Sequence, residues 1–114
     1  MTKETIEGLL ATLAIPLIVV KRVYFDEYAT GRKTIEYRRY GRMFTERTFY
    51  PGRRVRIKYQ YNNNAPELAA TVRRFEWALA CDGPDLSTVY PSLKPDDEIA
   101  LIHLQIVDRE RPAS

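Results

Sequence analysis

The chain has 114 residues, the size of a single compact domain, and its 45% hydrophobic and 29% charged residues are typical of a globular protein. One cysteine and one histidine, Cys81 and His103, exclude an intramolecular disulfide and a zinc site built on several thiolates or imidazoles. The longest apolar run, residues 9–20, is too short to span a bilayer. We therefore expect a cytoplasmic protein with no membrane contact, no metal and no cofactor.

The first elements predicted along the chain are two helices and a strand between them. Apolar residues recur with helical spacing over 2–13, and Pro16 ends that pattern. The apolar, largely β-branched run 17–20 predicts a buried strand. Residues 23–30 predict a short helix, with Gly31 placed to adopt the left-handed conformation that closes a helix.

Two strands are predicted next, over 34–40 and 53–61, with an arginine-rich loop over 41–48 between them. Alternation in the second strand places Val55 and Ile57 toward a core. The same alternation turns three basic residues of that strand toward solvent, namely Arg54, Arg56 and Lys58.

The last third of the chain predicts a strand over 68–79, a short helix over 86–93 and a final strand over 99–107. The elements together predict an α+β or small-barrel domain of five or six short strands with two or three short helices. We divide the chain into an N-terminal helical extension (1–14), the domain itself (15–108) and a flexible tail (109–114).

Charge is distributed unevenly along these elements. The formal net charge is +3, yet residues 21–58 contain twelve basic and four acidic residues, a local net charge of +8, while the remainder carries −5. Such asymmetry predicts a positive face that attracts polyanions. Tyrosines lie among the arginines, as in YRRY at 37–40, and tyrosine rings can stack on unpaired bases. This pattern favours RNA, single-stranded nucleic acid or a nucleotide as partner; a solvated basic face and a protein-interaction adaptor are the alternatives.

The segment GRKTIEYR at residues 31–38 carries the most chemical information. Neither of the familiar glycine-rich phosphate-binding loops is present. Lys33 follows a glycine turn, and Glu36 and Arg38 lie two residues apart on one face of the next strand. A lysine, a carboxylate and a guanidinium in this arrangement could contact a base edge or a phosphate. They could equally form a salt-bridge ladder along an edge strand, and we expect Arg38 to hold Glu36 in an ion pair.

This segment, with the elements around it, resembles the ASCH domain family of PUA-like β-barrels. Gly31, Lys33, Thr34, Glu36 and Arg38 match the family motif G-x-K-T-hydrophobic-E-x-R, and Gly52 and Val55 in the later PGRRV at 51–55 match the turn and strand that follow in the family pattern. The resemblance covers residues 17–59. It implies a small PUA-like mixed barrel with a cleft bordered by the motif, and a role in binding RNA or modified nucleotides.

The resemblance also implies an enzymatic alternative, a hydrolase acting on RNA or on a modified nucleoside. Some relatives resemble N4-acetylcytidine amidohydrolases that use a motif lysine, a threonine three residues later and a distant glutamate. Lys33 matches the lysine, but Glu36 stands where the threonine is required. We therefore expect little or no deacetylation of that nucleoside.

These arguments nominate one set of site residues. In an enzyme, the catalytic groups would be Lys33, Glu36 and Arg38. The nominated residues for binding a nucleic acid or a nucleotide are Tyr24, Lys33, Thr34, Glu36, Arg38, Arg39, Arg42, Arg47, Arg53 and Arg54. Within this set, the three motif residues would select the base, and Arg39, Arg42 and Arg47 would contact phosphates.

Overall fold

The computed structural model describes residues 15–60 and 64–107. In this part of the chain the elements are β1 (Leu17–Val19), α1 (Arg22–Thr30), β2 (Ile35–Arg39), β3 (Arg54–Lys58), β4 (Glu67–Leu79), a 3-10 turn (Ala80–Asp82) and β5 (Glu98–Ile106). The predicted N-terminal helix and the predicted tail lie outside the described residues. Among the described residues, no helix is both long enough and apolar enough to cross a membrane.

The five strands form one curled sheet, a half-barrel with the strand order β1-β3-β4-β5-β2. β1 pairs with β3 in parallel, and every other pair is antiparallel. β4 is the longest strand; it pairs with β3 up to Thr71 and with β5 from Ala70 onward. Because the first part of β4 pairs with β3 and the later part pairs with β5, the sheet bends along β4. Among the described strands, β1 and β2 are the two edges of the half-barrel.

The apolar core confirms the inward positions predicted for the strand at 53–61. Val55 and Ile57 are buried in β3, and α1 contributes Phe25 and Tyr28. The strands β1, β4 and β5 contribute Ile18, Leu68, Ala70, Val72, Ala100, Ile102 and Leu104, and the segments between elements contribute Val20 and Phe49. A small mixed domain with a barrel-like sheet is therefore confirmed, with five strands and one α-helix in the described residues.

The structure corrects two of the sequence predictions. Residues 86–93 form successive turns instead of a helix, because Pro91 lacks an N–H donor and its ring excludes a continued helix. The turns are closed by bonds such as that from the Tyr90 N–H to the Leu86 carbonyl, at 2.8 Å. Lys58 is buried instead of facing solvent. It lies between Val19 and Glu67 in an interior strand, where a lysine stem can pack along apolar neighbours.

Candidate functional site

The two edge strands of the half-barrel face each other across a cleft of about 580 Å³, which we call the seam cleft. Its walls are the end of β1 with the start of α1, residues 33–38 of the β2 region, and the loop at residues 84–90. The Arg38 guanidinium spans the gap: its Nη2 donates a hydrogen bond of 2.8 Å to the carbonyl of Val19. One side chain thus connects two strands that share no backbone ladder.

Glu36 lies at the back of the seam cleft and is only 5% exposed. The Tyr28 hydroxyl donates to its Oε1 at 2.6 Å, and Arg38 Nε donates to its Oε2 at 2.6 Å. The predicted ion pair between Arg38 and Glu36 is therefore confirmed. Burial, together with the negative charge of Glu36, raises the pKa of the Tyr28 phenol far above its usual range. Tyr28 therefore stays protonated and remains a hydrogen-bond donor to the carboxylate.

Lys33 lies at the edge of the seam cleft, surrounded by three tyrosine rings. Its Nζ is 5.3 Å from the ring centroid of Tyr24, 5.5 Å from that of Tyr28 and 5.3 Å from that of Tyr37. Tyr24 and Tyr28 are one helical turn apart on α1, and Gly31 (φ 81°) turns the chain so that Lys33 returns to the helix. All three distances lie within the range of a cation–π interaction.

The charge of Lys33 remains uncompensated in this setting. The electron-rich ring faces position the ammonium, but they carry no formal negative charge. Within residues 15–60 and 64–107, none of the carboxylates forms an ion pair with Lys33. The seam cleft thus presents a positioned cation that an incoming anion can bind.

Of the ten nominated residues, four line the seam cleft: Tyr24, Lys33, Glu36 and Arg38. Thr34 borders a different hollow, and its carbonyl accepts the backbone N–H of Leu104. The remaining nominated residues lie outside the cleft lining, namely Arg39, Arg42, Arg47, Arg53 and Arg54. The basic run therefore does not converge on one cleft.

Arg39 has a visible part in shaping the cleft wall. It donates to Asp97 at 3.3 Å and to Ser92 at 2.9 Å, and its guanidinium lies over the ring of Tyr90. Since Tyr90 lines the seam cleft, the contacts of Arg39 stabilise the loop at residues 84–90, which forms one wall of the cleft. Hydrogen bonding to the Lys94 N–H, followed by the charge of Arg39, lowers the pKa of Asp97.

Three aromatic residues of the site were not nominated from the sequence. Tyr37 and Tyr90 line the seam cleft, and Tyr28 is the hydrogen-bond donor to Glu36. The tyrosines at positions 24 and 28 share a helical face, which was visible in the sequence; the approach of Tyr90 depends on a long connection and was not.

His103 and Cys81 do not form a reactive centre. His103 Nε2 lies 2.7 Å from Glu76 Oε2, and Arg74 donates to the other oxygen of that carboxylate. These two partners, His103 first, lower the pKa of Glu76. Cys81 is exposed, and the described residues contain no group of three or more histidine, cysteine or carboxylate side chains that could hold a metal ion.

No family model, curated protein or solved structure matches this chain. The resemblance to ASCH domains therefore stays a prediction, which rests on the motif at 31–38 and on the order of the elements around it. The structure adds that Lys33, Glu36 and Arg38 of that motif lie together at one cleft.

Proposed function

We propose that this protein is an RNA- or nucleotide-binding domain of the ASCH, PUA-like type, and that the ligand occupies the seam cleft. The observation that carries the proposal is the Lys33 ammonium, held at the cleft edge by three tyrosine rings with its charge uncompensated. A phosphate or a base carbonyl oxygen supplies the negative charge or lone pair that such a group lacks.

The lining of the seam cleft suits a nucleobase. Tyr24, Tyr37 and Tyr90 line its walls. Stacking of a base on an aromatic side chain contributes about 1–3 kcal/mol in single-stranded nucleic-acid complexes. The tyrosines thus supply affinity that does not depend on base identity.

The back of the cleft suits the polar edge of a base. Each carboxylate oxygen can accept more than one hydrogen bond, so Glu36 keeps lone pairs beyond those used by Tyr28 and Arg38. A carboxylate accepts from exocyclic amino groups, and a guanidinium donates to ring nitrogens and carbonyls. This polar pair would therefore discriminate among bases, while Lys33 holds the anionic part of the nucleotide.

The test is binding of labelled single-stranded RNA of about ten nucleotides, the scale of a small domain's site. We expect Lys33→Gln to weaken binding about tenfold, equivalent to about 1.4 kcal/mol. The matched control is Lys94→Gln, since Lys94 is an exposed lysine outside the seam cleft and loses the same charge. Equal affinities for these two variants would contradict the proposed site.

Base selection is tested with the four homopolymeric RNAs. Glu36→Gln is expected to change their ranking, because it replaces an acceptor-only group by one that also donates. Arg47→Gln, which alters an exposed arginine outside the cleft lining, is expected to weaken all four by a similar factor. An unchanged ranking in the Glu36 variant would contradict the role of the cleft in base selection.

A further inference from the structure

A second hollow, of about 720 Å³, lies on the other side of Lys33, and we call it the bulge hollow. It extends across the start of β2, the end of β5 and the middle of β4. Its polar lining residues are Lys33, Thr34, Arg73, Arg74, His103 and Gln105. The strand register explains part of this grouping, because Ile35, His103 and Arg74 lie side by side across the three strands.

A β-bulge brings two arginines to this hollow. The register of β4 against β5 shifts between Val72 and Arg74, which leaves Arg73 without a partner residue on β5. Both Arg73 and Arg74 line the hollow, Arg73 as the extra residue of the bulge and Arg74 opposite His103. A bulge redirects side chains in this way and is common beside functional sites.

The hollow has an excess of positive charge. Glu76 is held by Arg74 and His103, so its single negative charge offsets that of Arg74. Arg73 is exposed, and in the described residues its guanidinium makes neither an ion pair nor a hydrogen bond. Lys33 likewise has no carboxylate partner there, and none of the described residues that line the hollow is a carboxylate. Two uncompensated cations thus face one concave surface.

Lys33 lines both the bulge hollow and the seam cleft, so the two sites adjoin at its side chain. From this juxtaposition we propose that the bulge hollow binds the backbone phosphate next to the nucleotide whose base occupies the seam cleft. Arg73 supplies the bidentate contact for which a guanidinium is suited, and Thr34 and Gln105 offer further donors. The inference rests on the proposed RNA-binding function and adds the path of the bound RNA. The RNA would run from the seam cleft to the bulge hollow past the start of β2.

The experiment measures how RNA affinity depends on salt in wild type, Arg73→Gln and Arg22→Gln. Arg22 is a matched control, since it is exposed on α1 and lines neither site. Loss of one phosphate contact lowers the slope of log K against log salt by about 0.7 for single strands. We expect that decrease, and about fivefold weaker binding at low salt, for Arg73→Gln only. Unchanged unfolding midpoints would show that both variants remain folded.

A second measurement separates this inference from the proposed function. Inorganic phosphate is titrated into wild type and Arg73→Gln while the backbone amide signals of His103 and Gln105 are followed by NMR. Shifts in wild type that vanish in the variant would support the hollow as a phosphate site even if RNA did not bind. RNA binding that requires Lys33, with the same salt slope in the Arg73 and Arg22 variants, would overturn the phosphate path and leave the seam cleft intact. Absence of both effects would overturn the inference entirely.

Discussion

Replacing Tyr28 by phenylalanine tests how the polar group at the back of the seam cleft is held. The Tyr28 ring is fully buried, and its hydroxyl donates to Glu36, which is itself buried. The substitution keeps the ring and removes one oxygen, so the packing loss is small. What is lost is a hydrogen bond to a charged acceptor, with a contribution of about 1.5–3 kcal/mol.

We therefore expect Tyr28→Phe to lower the free energy of unfolding by about 2 kcal/mol, because Glu36 Oε1 stays buried without its donor. For a domain of this size the corresponding fall in Tm is about 8 °C. Urea denaturation followed by circular dichroism gives the free energy, and a thermal scan gives Tm.

The same chain provides a matched control, Tyr40→Phe. Tyr40 also donates to a carboxylate, that of Glu46, at 2.8 and 2.5 Å, but this pair is exposed. Removing that hydroxyl should cost about 0.5 kcal/mol or less, because water replaces the lost partner. Equal losses in the two variants would refute the argument that burial makes the Tyr28–Glu36 bond important.

Three further predictions concern pH, salt and catalysis. Since the pKa of Tyr28 is raised in the folded protein, ionisation of this tyrosine favours the unfolded state, and the free energy of unfolding should fall as pH rises above about 10. Urea denaturation at several pH values should show a shallower fall in Tyr28→Phe. The logarithm of the RNA association constant should fall linearly with the logarithm of the salt concentration. Replacing Arg53 and Arg54 by glutamate should weaken RNA binding several-fold without unfolding the domain. An affinity that does not depend on salt would contradict nucleic acid as the main partner. Incubation with N4-acetylcytidine should release little or no cytidine, and turnover of about 1 per second or more would contradict the view that Glu36 is committed to its two donors.

The local parts of the fold could be predicted from the sequence. The helix before Gly31, the strand at 35–39 and the alternation in β3 follow from periodicity and from one glycine, because these signals act over a few residues. The ion pair between Glu36 and Arg38 was predictable for the same reason, because two residues that are two positions apart in a strand lie on the same face of the sheet.

The features that escaped prediction depend on contacts between distant segments. Arg38 reaches the carbonyl of Val19 only because the sheet curls and brings its two edges together. Tyr90 reaches the cleft through a turn-rich connection, in which Pro91 excludes the helix that the sequence over 86–93 predicts. The bulge at Arg73 was hidden within a correctly predicted strand, where consecutive arginines interrupt the alternation. The sequence indicates a basic segment from the number of its arginines, but the strand register determines which arginines lie on the same surface.

The arrangement of Glu36 bears directly on the choice between binding and hydrolysis. A general base must reach a proton on the reacting group, and its effectiveness depends on an oxygen that is not already stabilised by strong donors. Both oxygens of Glu36 accept short hydrogen bonds, one of them from a guanidinium that is also fixed to Val19. Moving Glu36 toward a substrate would break its hydrogen bonds from Tyr28 and from Arg38, the residue that also connects the two edges of the sheet. Lys33 is held differently, by ring faces that leave its charge available. A fixed carboxylate beside an available cation suits the binding role that we propose better than it suits hydrolysis.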